Sequence, residues 1–400
     1  MIQKDSSSPI KSRKRNGKMA MAGVAVLAGL TMASSSYAGE TFTSGDKSLS
    51  LGFGVRTSLT SVKNGAPNGT SRSKTFDVEN LRFYMSGQWN NMLRATLNTE
   101  RDANGNIVLM DGFGEVGFSD NFNVRMGRLI PPTDRVNLDG PFYLNAWQFP
   151  GVVSAYPTRS IGRDNGILAW GKPMGGKLVY SVGAFTGHNV VAGGSNDSAN
   201  LLYAGRVAYN FLDPEPAPAY YTASTYYGSK DIFTVALVYQ HQKDGVGSSP
   251  TAKGAYNSWS TDVLYETKAS GSGVITAEGA YYKYGLGAVD CGSGEPGAAV
   301  CPAGGTNVGG LVAGKAYLAT LAYMFPQNYG PGKVQPFVRL QKFKRDLSQT
   351  TNKQNDFGVN YVMNGHDGRF SMVYSKLNDS RLAPALASTN QFVIGYQFQY

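Results

Sequence analysis

The eleven residues Asn390 to Tyr400 constrain the fold more than any other stretch of the chain. Phe392, Ile394, Tyr396, Phe398 and Tyr400 are apolar, and the residues between them are small or polar except for Val393. Alternation with a period of two over this length gives a β-strand with one wet face and one apolar face. The apolar face is aromatic, and the chain stops on an aromatic. A strand with nothing after it is expected to pair with the first strand of its own sheet. Closing a sheet on itself with apolar side chains outward is how β-structure persists in lipid, where no backbone group is left unpaired. The expected fold is therefore all-β, a transmembrane antiparallel β-barrel.

The rest of the chain repeats the pattern. Alternation and turn residues predict sixteen strands, at about 48–61, 76–89, 92–99, 107–118, 122–129, 163–172, 177–187, 200–211, 231–242, 257–268, 273–284, 313–325, 333–344, 355–363, 369–377 and 390–400. The segment 273–284 leaves its facing open, because both of its faces carry Tyr and one charge. With both termini on the periplasmic side, every second connection should be a short turn. Asn90-Asn91, Ser119 to Asn121, Pro173 to Gly176, Ala269 to Ser272, Pro326 to Gly332 and Asn364 to Gly368 fit. The intervening connections 62–75, 130–162, 188–199, 285–312 and 378–389 are longer, the phase expected of an outer-membrane barrel. Leu212 to Lys230 breaks the scheme: it is long and rich in Pro and Tyr where a short turn belongs. A barrel of this size encloses water, whereas one of about eight strands is filled by its own side chains.

The other end of the chain agrees with export. Residues 1–38 read as a signal peptide, with Lys11, Arg13, Lys14, Arg15 and Lys18 before the uncharged apolar run Met19 to Leu30, and Ser36-Tyr37-Ala38 as the cleavage site. Residues 39–400 would then form the barrel. The full chain carries a formal charge of +10, but the first 38 residues hold six basic and one acidic residue, leaving 31 basic against 26 acidic, or +5. The basicity is largely that of the leader and does not support a nucleic-acid partner. Cys291 and Cys301 are the only cysteines, and in an exported chain a pair this close is expected to form a disulfide across a Gly-rich loop. No catalytic, metal-binding or cofactor-binding motif stands out, and the three histidines are scattered singly. Rival readings are a barrel enzyme or an adhesin with an occluded lumen.

The third outer connection, Ile130 to Gly162, carries Pro131-Pro132, Phe142, Tyr143, Trp147, Phe149 and Tyr156. A loop this aromatic is expected to pack, and the hollow lumen offers the space; the alternative is a surface cap or a subunit contact. The strand end Val124-Arg125-Met126-Gly127-Arg128-Leu129-Ile130-Pro131-Pro132 and the strand start Gly162-Arg163-Asp164-Asn165-Gly166 resemble porins of the phosphate-selective porin O and P type. The resemblance implies a sixteen-stranded, usually trimeric, passive channel with an inward-folded loop. Phosphate selectivity in that family rests on an arginine ladder with loop lysines, and 130–162 contains no lysine.

Parity opposite to the apolar residues puts Arg56, Arg82, Arg94, Arg125, Arg206, Arg339 and Arg369 on the lumen face, with Asp111, Glu115, Asp262, Glu266 and Asp356. The candidate pore and constriction residues are Arg56, Arg82, Arg94, Arg125, Arg128, Asp134, Arg135, Asp139, Tyr143, Arg159 and Arg163. A narrow pore with low-dielectric walls amplifies a small basic excess, which predicts a weak preference for small anions. Two alternatives stand beside it. The arginines can pair with carboxylates and loop carbonyls and simply hold the loop. An acidic loop (Asp134, Asp139) facing a basic wall can also set up a transverse field in a general, non-selective porin. The expected partners are outer-membrane lipids, two further copies of the chain, and the permeating solutes.

Overall fold

The computed structural model describes residues 39–400 apart from 103, 154–161, 191, 197–198, 269–270, 272, 288–312 and 383–386. The leader, Arg159, Cys291 and Cys301 therefore lie outside the described residues.

All sixteen expected strands form. They are preceded by a short strand, β1 (Glu40–Ser44), that alternation did not reveal. The barrel proper runs β2 (Lys47–Val62), β3 (Thr75–Gln88), β4 (Leu93–Arg101), β5 (Ile107–Ser119), β6 (Phe122–Leu129), β7 (Asp164–Gly171), β8 (Leu178–Phe185), β9 (Leu202–Asn210), β10 (Ile232–Ser249), β11 (Ala252–Lys268), β12 (Val274–Gly285), β13 (Gly314–Met324), β14 (Lys333–Arg345), β15 (Thr351–Asn364), β16 (Gly368–Asp379) and β17 (Ser388–Gln399). Each pairs antiparallel with its neighbour in sequence, and β17 pairs with β2 from Gln391↔Val62 to Gln399↔Gly54. Tyr400 extends the closure by exchanging backbone hydrogen bonds with Phe53 at 2.6 and 2.8 Å. β17 stops there, and β1 takes over the free edge of β2, pairing Glu40↔Leu51 through Ser44↔Lys47. The early edge of β2 thus has a partner from its own chain.

The outward face is apolar and aromatic: Leu49, Leu51, Phe83, Met85, Leu237, Tyr239, Tyr317, Leu321, Phe357 and Phe392 are all exposed. On the strand of undecided facing, β12, Ile275 and Tyr281 point out while Glu278, Tyr282 and Tyr284 are buried inside. Their hydroxyls explain the choice. Tyr282 Oη donates to Asp134 Oδ2 at 2.8 Å and Tyr284 Oη to the Val153 carbonyl at 2.8 Å, so both tyrosines hold the inner loop.

The described part of the long third connection runs inside the barrel. It contains one helix, α1 (Arg135–Tyr143), interrupted at Gly140 (φ 60) before Pro141. Two aromatics of this loop need room at the wall. A Cβ on Gly395 of β17 would come within 2.4 Å of the Trp147 ring, and one on Gly54 of β2 within 2.9 Å of Phe142. The two glycines stand near the closure seam, where they form a recess that larger residues would fill.

Candidate functional site

Wall side chains stitch the inner loop in place through its carbonyls. Gln240 of β10 donates to Pro132 (2.7 Å), Gln397 of β17 to Phe142 (2.9 Å), Arg369 of β16 to Leu144 (2.7 Å) and Arg339 of β14 to Gln148 (2.6 Å). Arg56 of β2 donates to the Trp147 carbonyl while its guanidinium lies 3.9 Å from the centroid of the Trp147 ring. Trp147 in turn donates its indole N–H to Glu79 Oε1 at 3.0 Å. A buried backbone carbonyl needs a donor, and an irregular loop inside a barrel cannot obtain one from a ladder. The inward arginines and amides of the wall supply them.

A second element meets the loop from the opposite end of the barrel. The anomalous connection 212–230, between β9 and β10, folds up into the lumen. Glu215 holds Arg135 through both oxygens, at 2.8 and 2.7 Å. Thr222 Oγ1 and Ser224 Oγ each donate to Asp139, both at 2.6 Å. Tyr220 Oη donates to the Ile130 carbonyl at 3.0 Å. At the base of the segment, Glu266 of β11 accepts from Thr225 Oγ1 and from the backbone N–H groups of Tyr226 and Gly228. Burial alone would raise the Glu215 carboxyl; the Arg135 guanidinium beside it overrides that and holds it below the ordinary carboxylate value. Burial acts the other way on Asp139: assisted by the nearby Glu278 carboxylate, it pushes that carboxyl well up despite Arg135.

The two elements fill much of the lumen with apolar packing. Leu129, Ile130, Val136, Leu138, Leu144 and Val153 of the loop and its flank cluster with Tyr220 of the segment. Wall residues such as Leu168, Phe185, Tyr256, Tyr282, Tyr284 and Phe343 complete the cluster. The inward residues of β9, β11 and β13 are buried along those strands. The inward side of β3 and β4 differs: Tyr84, Thr96 and Asn98 are only partly covered, and Ser86 and Arg94 are exposed.

Around that accessible strip the expected arginines stand beside carboxylates. Arg82 meets Glu100, and Arg94 donates to Glu115 Oε1 at 2.9 Å. Arg125 also meets Glu115, with the rings of Phe113, Trp170, Tyr220 and Tyr221 within 4.7–5.6 Å of its guanidinium carbon. Arg163 Nε donates to Asp111 Oδ1 at 2.9 Å. Asp134 accepts from Asn137 and Tyr282, and Tyr143 lies 4.9 Å from His366. Among the described candidates, Arg128 alone departs from the expected lumen facing. It lies three residues from Arg125, an odd offset on a strand, and so falls on the outward face with Met126. There it donates to Asn165 Oδ1 at 3.3 Å. Sequence reasoning did not name Glu79, Glu100, Glu215, Thr222, Ser224 or Glu278 among the candidate residues. The signal for three of them was present in the misfit segment, whose Pro and Tyr content suits packing rather than solvation.

No family model matches the sequence, and no curated protein is similar to it. Solved structures do match in shape. OmpF of Salmonella typhi, in complex with daunomycin, superposes with a TM-score of 0.59 at 13% identity, covering 90% of this chain and 100% of that one. The trimer form of OmpT, an outer membrane protein of Vibrio cholerae, gives 0.54 at 12% over 88% and 99%. The outer membrane channel DcaP of Acinetobacter baumannii gives 0.51 at 10% over 91% and 100%. At these identities the likeness is one of fold: a closed sixteen-stranded outer-membrane-type barrel.

Proposed function

We propose that the protein is a passive diffusion channel of a Gram-negative outer membrane, exported by the leader in residues 1–38. One observation carries the reading. A barrel of sixteen strands with an apolar exterior holds its inner loop against most of the wall, yet on the inward side of β3 and β4, beside the buried pair Arg82 and Glu100, Tyr84, Thr96 and Asn98 stay partly accessible and Ser86 and Arg94 exposed. Solutes cross along that strip, past Tyr84, Thr96, Asn98 and Arg94, down their gradient. The trimeric state recorded for the Vibrio cholerae OmpT barrel supports assembly as a homotrimer.

The charge arrangement favours a general pore for small ions and solutes over a phosphate-selective one. Each arginine beside the strip is compensated by a carboxylate, and buried carboxylates outnumber buried arginines among the described residues. What remains is a transverse field across the strip rather than a basic funnel. A weak anion preference keeps one supporting observation. Arg369 is fully buried, and its Nε and Nη2 have no hydrogen-bond partner, so at least one guanidinium charge inside the barrel is not matched by a contacting carboxylate. Single-channel recording in a planar bilayer tests the reading. Ohmic conductance with a reversal potential near zero in a salt gradient is expected, and phosphate should not block at concentrations that leave chloride current intact. Absence of any conductance from correctly folded protein, both as the native chain and with the 212–230 connection shortened, would end the channel reading.

A further inference from the structure

We propose that residues 212–230 are the second half of the constriction, a strap inserted from the end where β17 finishes, and that it sets conductance as much as the inner loop does. The inference rests on the channel reading and deepens it, because nothing in a barrel of this type requires a nineteen-residue excursion at a position where the other connections of that end are short.

Three independent contacts support it. The strap is joined to the inner loop by the two-oxygen Glu215–Arg135 pair, and Arg135 is itself almost fully buried, 3.5 Å from Asp262. A charge pair removed from water this completely is kept only where its geometry satisfies both partners, so this contact fixes position rather than decorating a surface. The strap is joined to the wall next to the accessible strip by Tyr220 and Tyr221, whose rings stack at 5.0 Å and flank Arg125. Arg125 is therefore held under two strap tyrosines and cannot present its full fork to a passing anion. Finally, Ser224 sits between two carboxylates from different elements, donating to Asp139 of the loop at 2.6 Å and lying 3.3 Å from Glu278 of β12. Loop, strap and wall are thus one bonded unit, and the opening left beside β3 and β4 is bounded by both insertions.

The test shortens the strap in the full-length protein, replacing residues 216–227 with a short Gly-Ser turn, and records single-channel conductance beside the unaltered chain. Native folding is checked by heat-modifiable migration in gels. The expected result is a severalfold rise in conductance and a larger solute cut-off in liposome swelling. A second pair of substitutions, Tyr220→Ala with Tyr221→Ala, keeps the strap length and its Glu215 anchor and should give a smaller rise with altered anion access to Arg125. Equal conductance and cut-off in all three folded proteins would overturn the strap proposal while leaving the channel intact. Silence in all three, including the shortened form, would remove the channel reading itself. A silent parent that conducts only once the strap is shortened supports the proposal in its strongest form, with the strap as a plug.

Discussion

The two sides of the lumen are built from the same alternating strands yet hold different contents. On β9–β13 the inward residues are buried beneath the loop and strap, and among them apolar and aromatic side chains such as Leu202, Tyr256, Tyr282 and Leu318 form a dry cluster. On β3 and β4 the inward residues Tyr84, Ser86, Arg94, Thr96 and Asn98 are polar or amphipathic and accessible, while the paired Arg82 and Glu100 are buried. A barrel wall has no intrinsic preference for a full or an empty lumen; the insertions choose. They bring apolar surface that packs on Tyr256, Tyr282 and Leu318 and carbonyls that take donors from Gln240, Arg339 and Arg369, and the accessible residues of β3 and β4 are left to water. On the channel reading proposed above, selectivity is then a property of a narrow strip rather than of the whole circumference.

That contrast can be broken by substitution. The largest expected effect is in the covered half. Arg135→Ala leaves the Glu215 carboxylate buried without its guanidinium, while Asp262 keeps Arg206, and should cost about 3–5 kcal/mol in thermal unfolding. Arg94→Ala, on the open strip where the side chain is 39% exposed, should cost less than about 1 kcal/mol. Equal losses at the two sites would erase the distinction. Next in size is a change in selectivity. Thr96→Lys should move the reversal potential toward anions with native stability kept. Thr320→Lys, at a buried inward position of β13, should destabilise the barrel and leave the selectivity of the folded fraction unchanged.

A smaller effect is a pH dependence of the strap contact. Asp139 faces Thr222, Ser224, Glu278 and Arg135, and burial raises its carboxyl well above the ordinary value. A raised carboxyl favours its neutral form in the folded state. The stability it lends is fully present below the ordinary carboxylate value and is lost as pH climbs through the raised one. Current noise and mean conductance should therefore grow on the alkaline side, and Asp139→Asn should flatten that response; identical pH profiles for the two proteins would exclude Asp139 as its source. His366, at the base of the strap, is held down at about 3, chiefly by burial and then by Arg369, and stays neutral throughout. The smallest effect is expected at Arg128→Ala. Its side chain stands on the outward face, and unchanged conductance and selectivity there would confirm that period-two facing, not proximity to the loop, decides which arginines matter.

Much of this was legible in the residues themselves. The register of closure follows from Phe392, Ile394, Tyr396 and Phe398, since a slip by one residue would turn every one of them inward. The lumen position of Arg56, Arg82, Arg125 and Arg206 follows from the same parity, as their burial inside the barrel shows. The facing of β12 was not legible, because Tyr suits both lipid and a polar partner, and only the Asp134 and Val153 acceptors decide it. The short strand β1 escaped for another reason. Its residues, Glu40-Thr41-Phe42-Thr43-Ser44, are too few for alternation to stand out, and it exists because β17 stops short of the start of β2.

Local pattern determined the sixteen strands, the faces of those with clear alternation and the identity of the loop that turns inward, because period-two alternation and turn chemistry act over a few residues at a time. Which carboxylate meets which arginine, which wall is covered, and where 212–230 goes were decided only by the closed barrel. Those contacts join residues from ten positions apart, as Arg125 and Glu115, to eighty and more, as Glu215 with Arg135 and Trp147 with Arg56, and alternation along a strand specifies a facing but no partner.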